Sequence, residues 1–327
     1  MEYRKLGNTD MKVSVVGFGT WQGSLRGWGK DYSKESIISA IREAFENGIN
    51  FFDTAEIYGD GLSEKILGEA LSIYKRDEYI IATKIAPFNL NKAEKSLNKS
   101  IERLNSKYVD LYQIHWPPSV YSNLEKSMKN MFNLVKSEKV RYIGVSNFDV
   151  GLLKTIKDYH IVSNQIKYNI IQRSAEKDLI SYMRENNIDL IAYSPLEMGA
   201  LTGKYGKNKR PNGYVRKTAE IFKEKNIEKL EKLNEFLKNI SIKYNCTVSQ
   251  ISLAYIIKKG GIPIPGAKNI DQARNNALAS RINISDEDIK NIDNFVNNLF
   301  INHENSWYRS VRYIPSFITK LIFSRFI

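Results

Sequence analysis

Short apolar runs alternate with longer amphipathic segments along most of this chain. The apolar runs are rich in β-branched residues, and several are apolar on both faces, which indicates strands that are covered on both sides. Eight runs predict strands: Val13–Gly19, Asn50–Thr54, Tyr79–Lys84, Val109–His115, Val140–Ser146, Val162–Lys167, Asp189–Ser194 and Gly261–Pro265. Segments with helical spacing lie between or after them: Lys34–Asn47, Ser63–Tyr74, Lys92–Leu104, Asn123–Ser137, Asp149–Asp158, Glu176–Asn186, Ile227–Tyr244, Ser249–Lys258 and Asp271–Ala279.

Eight strands that each precede a helix predict an α/β fold with a parallel sheet, and eight is the number that closes into a (β/α)8 TIM barrel. A doubly wound open sheet is the alternative architecture. Before the first barrel strand, Tyr3–Leu6 and Lys12–Ser14 flank the turn-forming residues Gly7–Asp10, which predicts an N-terminal β-hairpin. Because the composition shows no break, we expect one barrel domain with extra C-terminal helices over residues 1–300.

The last stretch, Ser306–Ile327, is basic and aromatic and contains no acidic residue. Beyond Pro315, apolar residues recur at helical spacing with polar residues between them, which predicts a basic amphipathic tail. We therefore expect residues 301–327 to form a C-terminal extension. Three destinations fit such a helix: the barrel mouth, where it would complete the substrate pocket, a partner subunit, or a membrane surface.

Composition limits the class of protein and its compartment. Hydrophobic residues form 42% of the 327-residue chain and charged residues 26%, which excludes disordered and fibrous proteins. The single cysteine, Cys246, cannot form an internal disulfide, and no apolar stretch reaches the roughly 18 residues of a membrane span. We expect a cytoplasmic protein without integral membrane association, present as a monomer or a homo-oligomer.

The formal net charge of +13 raises the question of nucleic-acid binding. Most lysines, however, stand beside glutamates on predicted helix faces, as at Glu228, Lys229, Glu231 and Lys232, which is typical of a solvated surface. The sequence contains no recognition-helix pattern and no zinc-ligand spacing. We therefore expect neither a nucleic-acid partner nor a metal site.

Polar residues follow three successive predicted strands, at the rim where barrel enzymes carry their active sites. Asp53, Lys84 and His115 end buried strands, and Tyr58 follows in the loop after Asp53. Each alone has an ordinary structural explanation, such as a helix cap or a hydrogen-bonded core histidine. Together they suit hydride transfer to a carbonyl, in which the developing oxyanion needs a proton donor. Tyr58 would donate that proton, with Lys84 lowering its pKa, Asp53 holding the lysine, and His115 orienting the carbonyl oxygen.

Several ordered motifs resemble the aldo-keto reductases. Gly48-Ile-Asn-Phe-Phe-Asp-Thr-Ala-Glu-Ile-Tyr-Gly is similar to the family signature around the catalytic aspartate and tyrosine. Thr83-Lys and Gln113-Ile-His-Trp-Pro are similar to its lysine and histidine motifs. The resemblance spans Tyr3 to about Asn298, and it implies NAD(P)H-dependent reduction of an aldehyde or ketone to the alcohol, with Asp53, Tyr58, Lys84 and His115 as catalytic residues.

The same resemblance implies a set of cofactor-binding residues. Gly17-Phe-Gly-Thr-Trp-Gln-Gly does not have the glycine spacing of a Rossmann fingerprint, so a nicotinamide cofactor would bind in another manner. In the family, motifs like those found here hold the carboxamide, the nicotinamide face and the adenosine phosphate. The residues implied are Ser146, Asn147, Gln165, Tyr193, Ser194, Leu196, Gly266, Ala267, Lys268, Gln272, Asn275 and Asn276.

NADPH is the expected cofactor rather than NADH, because Lys268 fills the position of the family's phosphate-binding basic residue. The basic stretch Lys204–Lys217 falls in a loop that often covers the cofactor in the family, and we expect one or two of its cations to pair with the pyrophosphate. One departure stands out: Glu197 replaces a glycine common in the family and would repel the pyrophosphate unless a cation such as Lys204 neutralises it.

Aromatic residues in the rim loops predict an apolar pocket for a carbonyl substrate, although ordinary loop packing also accounts for some of them. The pocket residues predicted are Trp21, Trp28, Phe88 and Trp116. The alternative to a working reductase is a non-catalytic NADPH-binding sensor or interaction subunit. The presence of all four acid–base residues favours the enzyme.

Overall fold

The computed structural model describes residues 1–27, 29, 31–299, 301 and 312–326. In this part of the chain, eight parallel strands pair in sequence order. Backbone hydrogen bonds from Gly17 N to the Pro263 oxygen (2.9 Å) and from Gly19 N to the Pro265 oxygen (3.1 Å) join the last strand to the first. The sheet is therefore closed, and the predicted (β/α)8 barrel is confirmed. Its strands are β3 (Phe18–Gly19), β4 (Phe51–Asp53), β5 (Ile80–Ile85), β6 (Val109–Ile114), β7 (Val140–Ser146), β8 (Ser163–Lys167), β9 (Asp189–Tyr193) and β10 (Ile262–Pro263).

Helices follow the strands and cover the outer face of the sheet. They are α1 (Lys34–Glu46), α2 (Leu62–Leu71), α3 (Ala93–Arg103), α4 (Leu124–Lys136), α5 (Val150–Thr155), α6 (Leu179–Glu185), α7 (Tyr214–Lys217), α8 (Glu224–Lys243), α9 (Val248–Lys258), α10 (Ile270–Leu278) and α11 (Asp286–Leu299). Side-chain caps define several helix starts: Ser33, Asn123, Asp149, Thr247 and Asn269 each accept a hydrogen bond from a backbone N–H in the first turn.

An N-terminal hairpin, β1 (Tyr3–Lys5) paired antiparallel with β2 (Lys12–Ser14), is also as predicted. Its buried apolar residues Leu6, Met11 and Val13 belong to the same hydrophobic cluster as Phe51 and Leu111 of the barrel strands. The hairpin thus adds to the core inside the barrel. A larger cluster packs between the sheet and the helices.

The first predicted strand is wrong in its extent. Val13–Gly19 was expected to be continuous, but Val13 pairs within the hairpin and only Phe18–Gly19 enters the barrel. The chain turns between them because Ser14 Oγ donates to the Val16 oxygen (2.7 Å) while Ser14 N donates to Asn50 Oδ1 (2.7 Å). The first bond lies within the turn and the second joins it to Asn50, just before β4, and neither belongs to a strand ladder.

The described part of the tail forms α12 (Ser316–Phe326), which packs against the short 3-10 helix Pro87–Lys92 after β5. Val120 N donates to the Arg312 oxygen at 3.0 Å, and the hydroxyls of Ser122 and Ser316 lie 3.2 Å apart. The tail therefore rests beside the loops after β5 and β6. Among the residues described, no helix is both long and apolar enough to cross a membrane.

Candidate active site

Four side chains from three adjacent strand ends meet at the carboxyl-terminal rim of the barrel. Lys84 Nζ lies 2.5 Å from Asp53 Oδ1, 3.0 Å from the Thr54 oxygen and 3.3 Å from Tyr58 Oη. Tyr58 Oη is in turn 3.4 Å from His115 Nε2. The sequence therefore identified a set of residues that the fold brings together, in a chain from carboxylate through ammonium and phenol to imidazole.

The ion pair between Lys84 and Asp53 is buried, so each charge depends on the other. The Lys84 side chain is fully buried and that of Asp53 is 2% exposed, so neither charge has water to solvate it. Asp53 also accepts hydrogen bonds through Oδ2 from Gln113 Nε2 (3.1 Å) and Gln165 Nε2 (2.8 Å). Three donors from separate strands hold one carboxylate, and that carboxylate holds the lysine.

Gln113 was not singled out from the sequence, although it stands two residues before His115. Residues at i and i+2 of a strand project to the same face, so this spacing was a signal that Gln113 points toward the same interior as the histidine. In the sheet register, Gln113 lies directly beside Lys84.

The ionisation states follow from burial and from the neighbouring charges. Burial, partly opposed by Lys84, raises the pKa of Tyr58, so the phenol is protonated at neutral pH. For Lys84, burial disfavours the charge, but Asp53 and Tyr58 together raise its pKa above the ordinary value. Burial and the nearby Lys84 hold the pKa of His115 well below its ordinary value, so the imidazole is neutral. The expected lowering of the Tyr58 pKa by lysine is present as one contribution, but burial outweighs it in this structure.

A cavity of about 700 Å³ opens at this rim and extends toward the loop after β10. Tyr58 and His115 line one part of it, and Lys268 and Gln272 line another. Its size is in the range of cofactor and small-molecule sites. Of the cofactor residues implied by the family resemblance, those that line it are Ser146, Asn147, Gln165, Tyr193, Ser194, Leu196, Gly266, Lys268, Gln272, Asn275 and Asn276. Ala267 is buried beside this wall, at 1% exposure, and does not line the cavity.

Hydrogen bonds fix the orientation of the polar wall. Ser146 Oγ donates to the Gln165 oxygen (2.7 Å), and Tyr193 Oη donates to Asn147 Oδ1 (3.1 Å). Asn147 has a positive φ of 61°, which lets the chain turn sharply at the end of β7. At the other end of the cavity, Lys268 N donates to Gln272 Oε1 at 2.9 Å.

The partner of Glu197 differs from the one expected from the sequence. Its carboxylate is buried, where it accepts hydrogen bonds from Lys167 Nζ (2.6 Å) and Asn169 Nδ2 (2.7 Å). Lys167, at the end of β8, is therefore the neutralising cation, and Lys204 is not. Glu197 does not line the cavity, and its carboxylate is paired with Lys167.

The predicted aromatic pocket is present in part. Trp21 and Trp116 line the cavity, and the Trp21 ring stacks on Tyr58 with centroids 6.0 Å apart. Phe88 contacts the Trp116 ring edge-on at 6.2 Å and supports it from outside the cavity wall. Trp28 lies outside the described residues. Ile57, which was not among the predicted pocket residues, adds an aliphatic surface beside Tyr58.

Comparison with known proteins agrees with the barrel fold. A sequence profile of the aldo/keto reductase family matches residues 15–297. The NADH-specific methylglyoxal reductase of Escherichia coli (strain K12) is 32% identical over 309 residues, which cover 86% of this chain and 94% of that one. The glycerol dehydrogenase of Gluconobacter oxydans is similar in structure, with a TM-score of 0.81, 26% identity, and coverage of 93% and 98%. An aldo-keto reductase of Klebsiella pneumoniae in complex with NADPH has a TM-score of 0.73, 26% identity, and coverage of 90% and 96%.

The closed barrel, with an acid–base cluster on its carboxyl-terminal rim and a cofactor-sized cavity beside it, defines a barrel oxidoreductase. The family match extends over nearly the whole length of that barrel. The chain belongs to the aldo/keto reductase family.

Proposed function

We propose that this enzyme reduces an aldehyde or ketone to the alcohol with a nicotinamide cofactor, and that Tyr58 is the general acid. The observation that carries the proposal is the placement of Tyr58 Oη, 3.3 Å from a buried lysine cation and 3.4 Å from His115 Nε2, at the wall of the cavity. At this position Lys84 can stabilise the phenolate of Tyr58, and His115 lines the same cavity.

Each side chain has a distinct part in the reaction. When bound, the reduced cofactor supplies a hydride to the carbonyl carbon, which leaves negative charge on the oxygen. Tyr58 gives its proton to that oxygen, which completes the alcohol, and the resulting phenolate is stabilised by Lys84. Neutral His115 donates a hydrogen bond from Nε2 that orients the carbonyl before the transfer. We propose that Asp53 acts through Lys84, which it positions and keeps charged.

The chain's own residues fit a nicotinamide cofactor along the cavity. Because Gln165 Nε2 donates to Asp53, its amide oxygen is the atom suited to accept from a carboxamide N–H, with Ser146 and Asn147 beside it. Tyr193, whose hydroxyl donates to Asn147, lines the cavity beside these groups, and we propose that it packs against the nicotinamide.

For the adenosine end, we propose that Lys268 binds a 2′-phosphate and that NADPH is preferred. Lys268 lines the cavity with a side chain only 12% exposed, which suits a charge-assisted contact. Lys204 and Arg216 are the members of the basic stretch that line the cavity, and we propose them as the pyrophosphate partners. Lys207 and Arg210 instead form ion pairs with Glu228 and Glu224 on α8.

The substrate class is set by the mouth of the cavity beside Tyr58. Trp21, Ile57 and Trp116 make that mouth apolar and leave the acid and His115 as its convergent polar groups. We propose small aldehydes or ketones with an apolar body, including the 2-oxoaldehydes named by the methylglyoxal reductase relative. A cytoplasmic location stays a prediction from the single cysteine.

The test follows cofactor absorbance during turnover with a panel of aliphatic and aromatic aldehydes, ketones and 2-oxoaldehydes, with NADPH and NADH in parallel. Oxidation of cofactor that requires the carbonyl, with the alcohol recovered as product, supports the proposal. Tight cofactor binding without reduction of any member of the panel would favour the non-catalytic alternative.

A further inference from the structure

An acidic residue occupies the adenosine end of the cavity, opposite the cation expected to bind phosphate. Asp31, in the loop between β3 and α1, places Oδ1 3.0 Å from Lys268 Nζ, and both residues line the cavity. Neither the family motifs nor any pattern in the sequence marked Asp31 as a site residue. The contact joins residues 237 positions apart in the chain, so only the closed barrel brings them together.

A contact with Lys268 and a hydrogen bond within the loop itself fix the position of this segment. Lys268 Nζ lies 4.5 Å from the centre of the Tyr32 ring, and Tyr32 Oη donates to the Gln22 oxygen at 3.1 Å. Arg216, only 8% exposed, approaches from the loop after β9 and adds positive charge next to the carboxylate. Asp31 is thus the anion facing two cations of the cavity wall.

The electrostatics indicate that the two sides of the pair depend on one another. Burial and the proximity of Arg216 lower the pKa of Lys268, and the hydrogen bond to Asp31 opposes that effect. In return, Lys268 and Arg216 lower the pKa of Asp31, chiefly through the hydrogen bond from Lys268. At neutral pH, one N–H of the Lys268 ammonium is therefore already engaged by a carboxylate, at the head group that a phosphate would also contact.

We propose that Asp31 is a specificity-determining residue that reduces the enzyme's preference for NADPH over NADH. A 2′-phosphate must compete with the Asp31 carboxylate for Lys268 and is repelled by it, whereas the 2′-hydroxyl of NADH bears no charge and can donate a hydrogen bond to a carboxylate. Asp31 therefore disfavours binding of the 2′-phosphate of NADPH and does not disfavour the ribose diol of NADH. This inference rests on the proposed function, since it takes Lys268 as the ligand of the adenosine phosphate.

The experiment measures the dissociation constants of NADPH and NADH by fluorescence, for wild type and for Asp31→Asn at low and high salt. We expect Asp31→Asn to bind NADPH about fivefold more tightly and NADH no more tightly than wild type. The gain should shrink at high salt, because the repulsion is between partly exposed charges. Asp31→Glu keeps the carboxylate and should keep the wild-type ratio.

Two control variants separate the interpretations. Asp158→Asn removes an exposed carboxylate outside the cavity wall and should leave both constants unchanged. Lys268→Met should weaken NADPH and not NADH; equal weakening would overturn the assignment of Lys268. If Asp31→Asn leaves the ratio of the NADPH and NADH dissociation constants unchanged, the role of Asp31 is overturned and the assignment of Lys268 is not. Failure of wild type to bind either cofactor would instead overturn the proposed function.

Discussion

Asp53→Asn should destabilise the fold far more than its small change in volume suggests. The carboxylate accepts from Lys84 through Oδ1 and from Gln113 and Gln165 through Oδ2. An asparagine has one acceptor and one donor, so whichever way its amide is turned, an N–H group faces a donor. The fully buried lysine also loses its counter-charge. Breaking one side of a buried pair costs about 3–5 kcal/mol, and we expect a loss in that range at pH 7.

The free energy of unfolding should depend on pH differently in wild type and in Asp53→Asn. In wild type the pKa of Lys84 is raised, so its contribution to stability is complete below the unfolded value of about 10.4 and is lost as the pH rises through the folded value. In Asp53→Asn, burial without the carboxylate should depress that pKa. The variant then gains stability as the pH rises toward about 10, because the buried lysine can lose its charge.

Urea unfolding of wild type and Asp53→Asn at pH 7 and pH 9.5 measures both quantities. The difference in the free energy of unfolding should be largest at pH 7 and should narrow at pH 9.5. The control is the double variant Asp53→Asn with Lys84→Met, which removes the charge altogether and should recover part of the loss. A difference below about 1 kcal/mol at pH 7, well under the cost of a broken buried pair, would refute the reasoning. A difference that widens with pH would refute it as well.

Three further changes test other parts of the structure. Because His115 is neutral in the fold, we expect the pH profile of kcat to show no ionisation near 6.5. An ionisation near 6.5 that is present in wild type and absent in His115→Gln would contradict this expectation. Glu197→Gln leaves partly exposed Lys167 without its counter-charge and should lower the free energy of unfolding by about 1–2 kcal/mol in urea titrations; no loss would show that the pair is not stabilising. Gly68→Ala would place a carbon 2.5 Å from the Leu104 backbone oxygen and should cost about 1–3 kcal/mol by calorimetry, whereas a gain would indicate that α2 shifts freely.

The barrel and its acid–base cluster were predictable because both depend on local patterns. Apolar runs separated by helical segments are visible in the chain, and parallel strands bring their carboxyl ends to one rim, so Asp53, Lys84 and His115 had to converge. The hairpin was visible for the same reason, as two short runs around a turn. The join at Ser14 was misjudged, because side-chain hydrogen bonds interrupt a run that reads as one strand.

Contacts that depend on distant loops could not be predicted. Glu197 finds Lys167, which lies on the preceding strand and not in the nearby basic loop, because strand register determines which cation is adjacent. Asp31 reaches Lys268 through the closure of the barrel, and no spacing in the sequence encodes that meeting. The role of Gln113 could have been predicted from its strand position, but only with the knowledge that a carboxylate lies on the inward face of the barrel.

The most direct test of the central claim is the single-turnover rate of carbonyl reduction with cofactor already bound, compared between wild type and Tyr58→Phe. The phenylalanine keeps the ring that stacks on Trp21 and removes only the hydroxyl. We predict a loss of about 10²–10⁴-fold, the usual contribution of a general acid, with the cofactor dissociation constant unchanged. A Tyr58→Phe enzyme that reduces the carbonyl within a few-fold of wild type would contradict the assignment of Tyr58 as the proton donor.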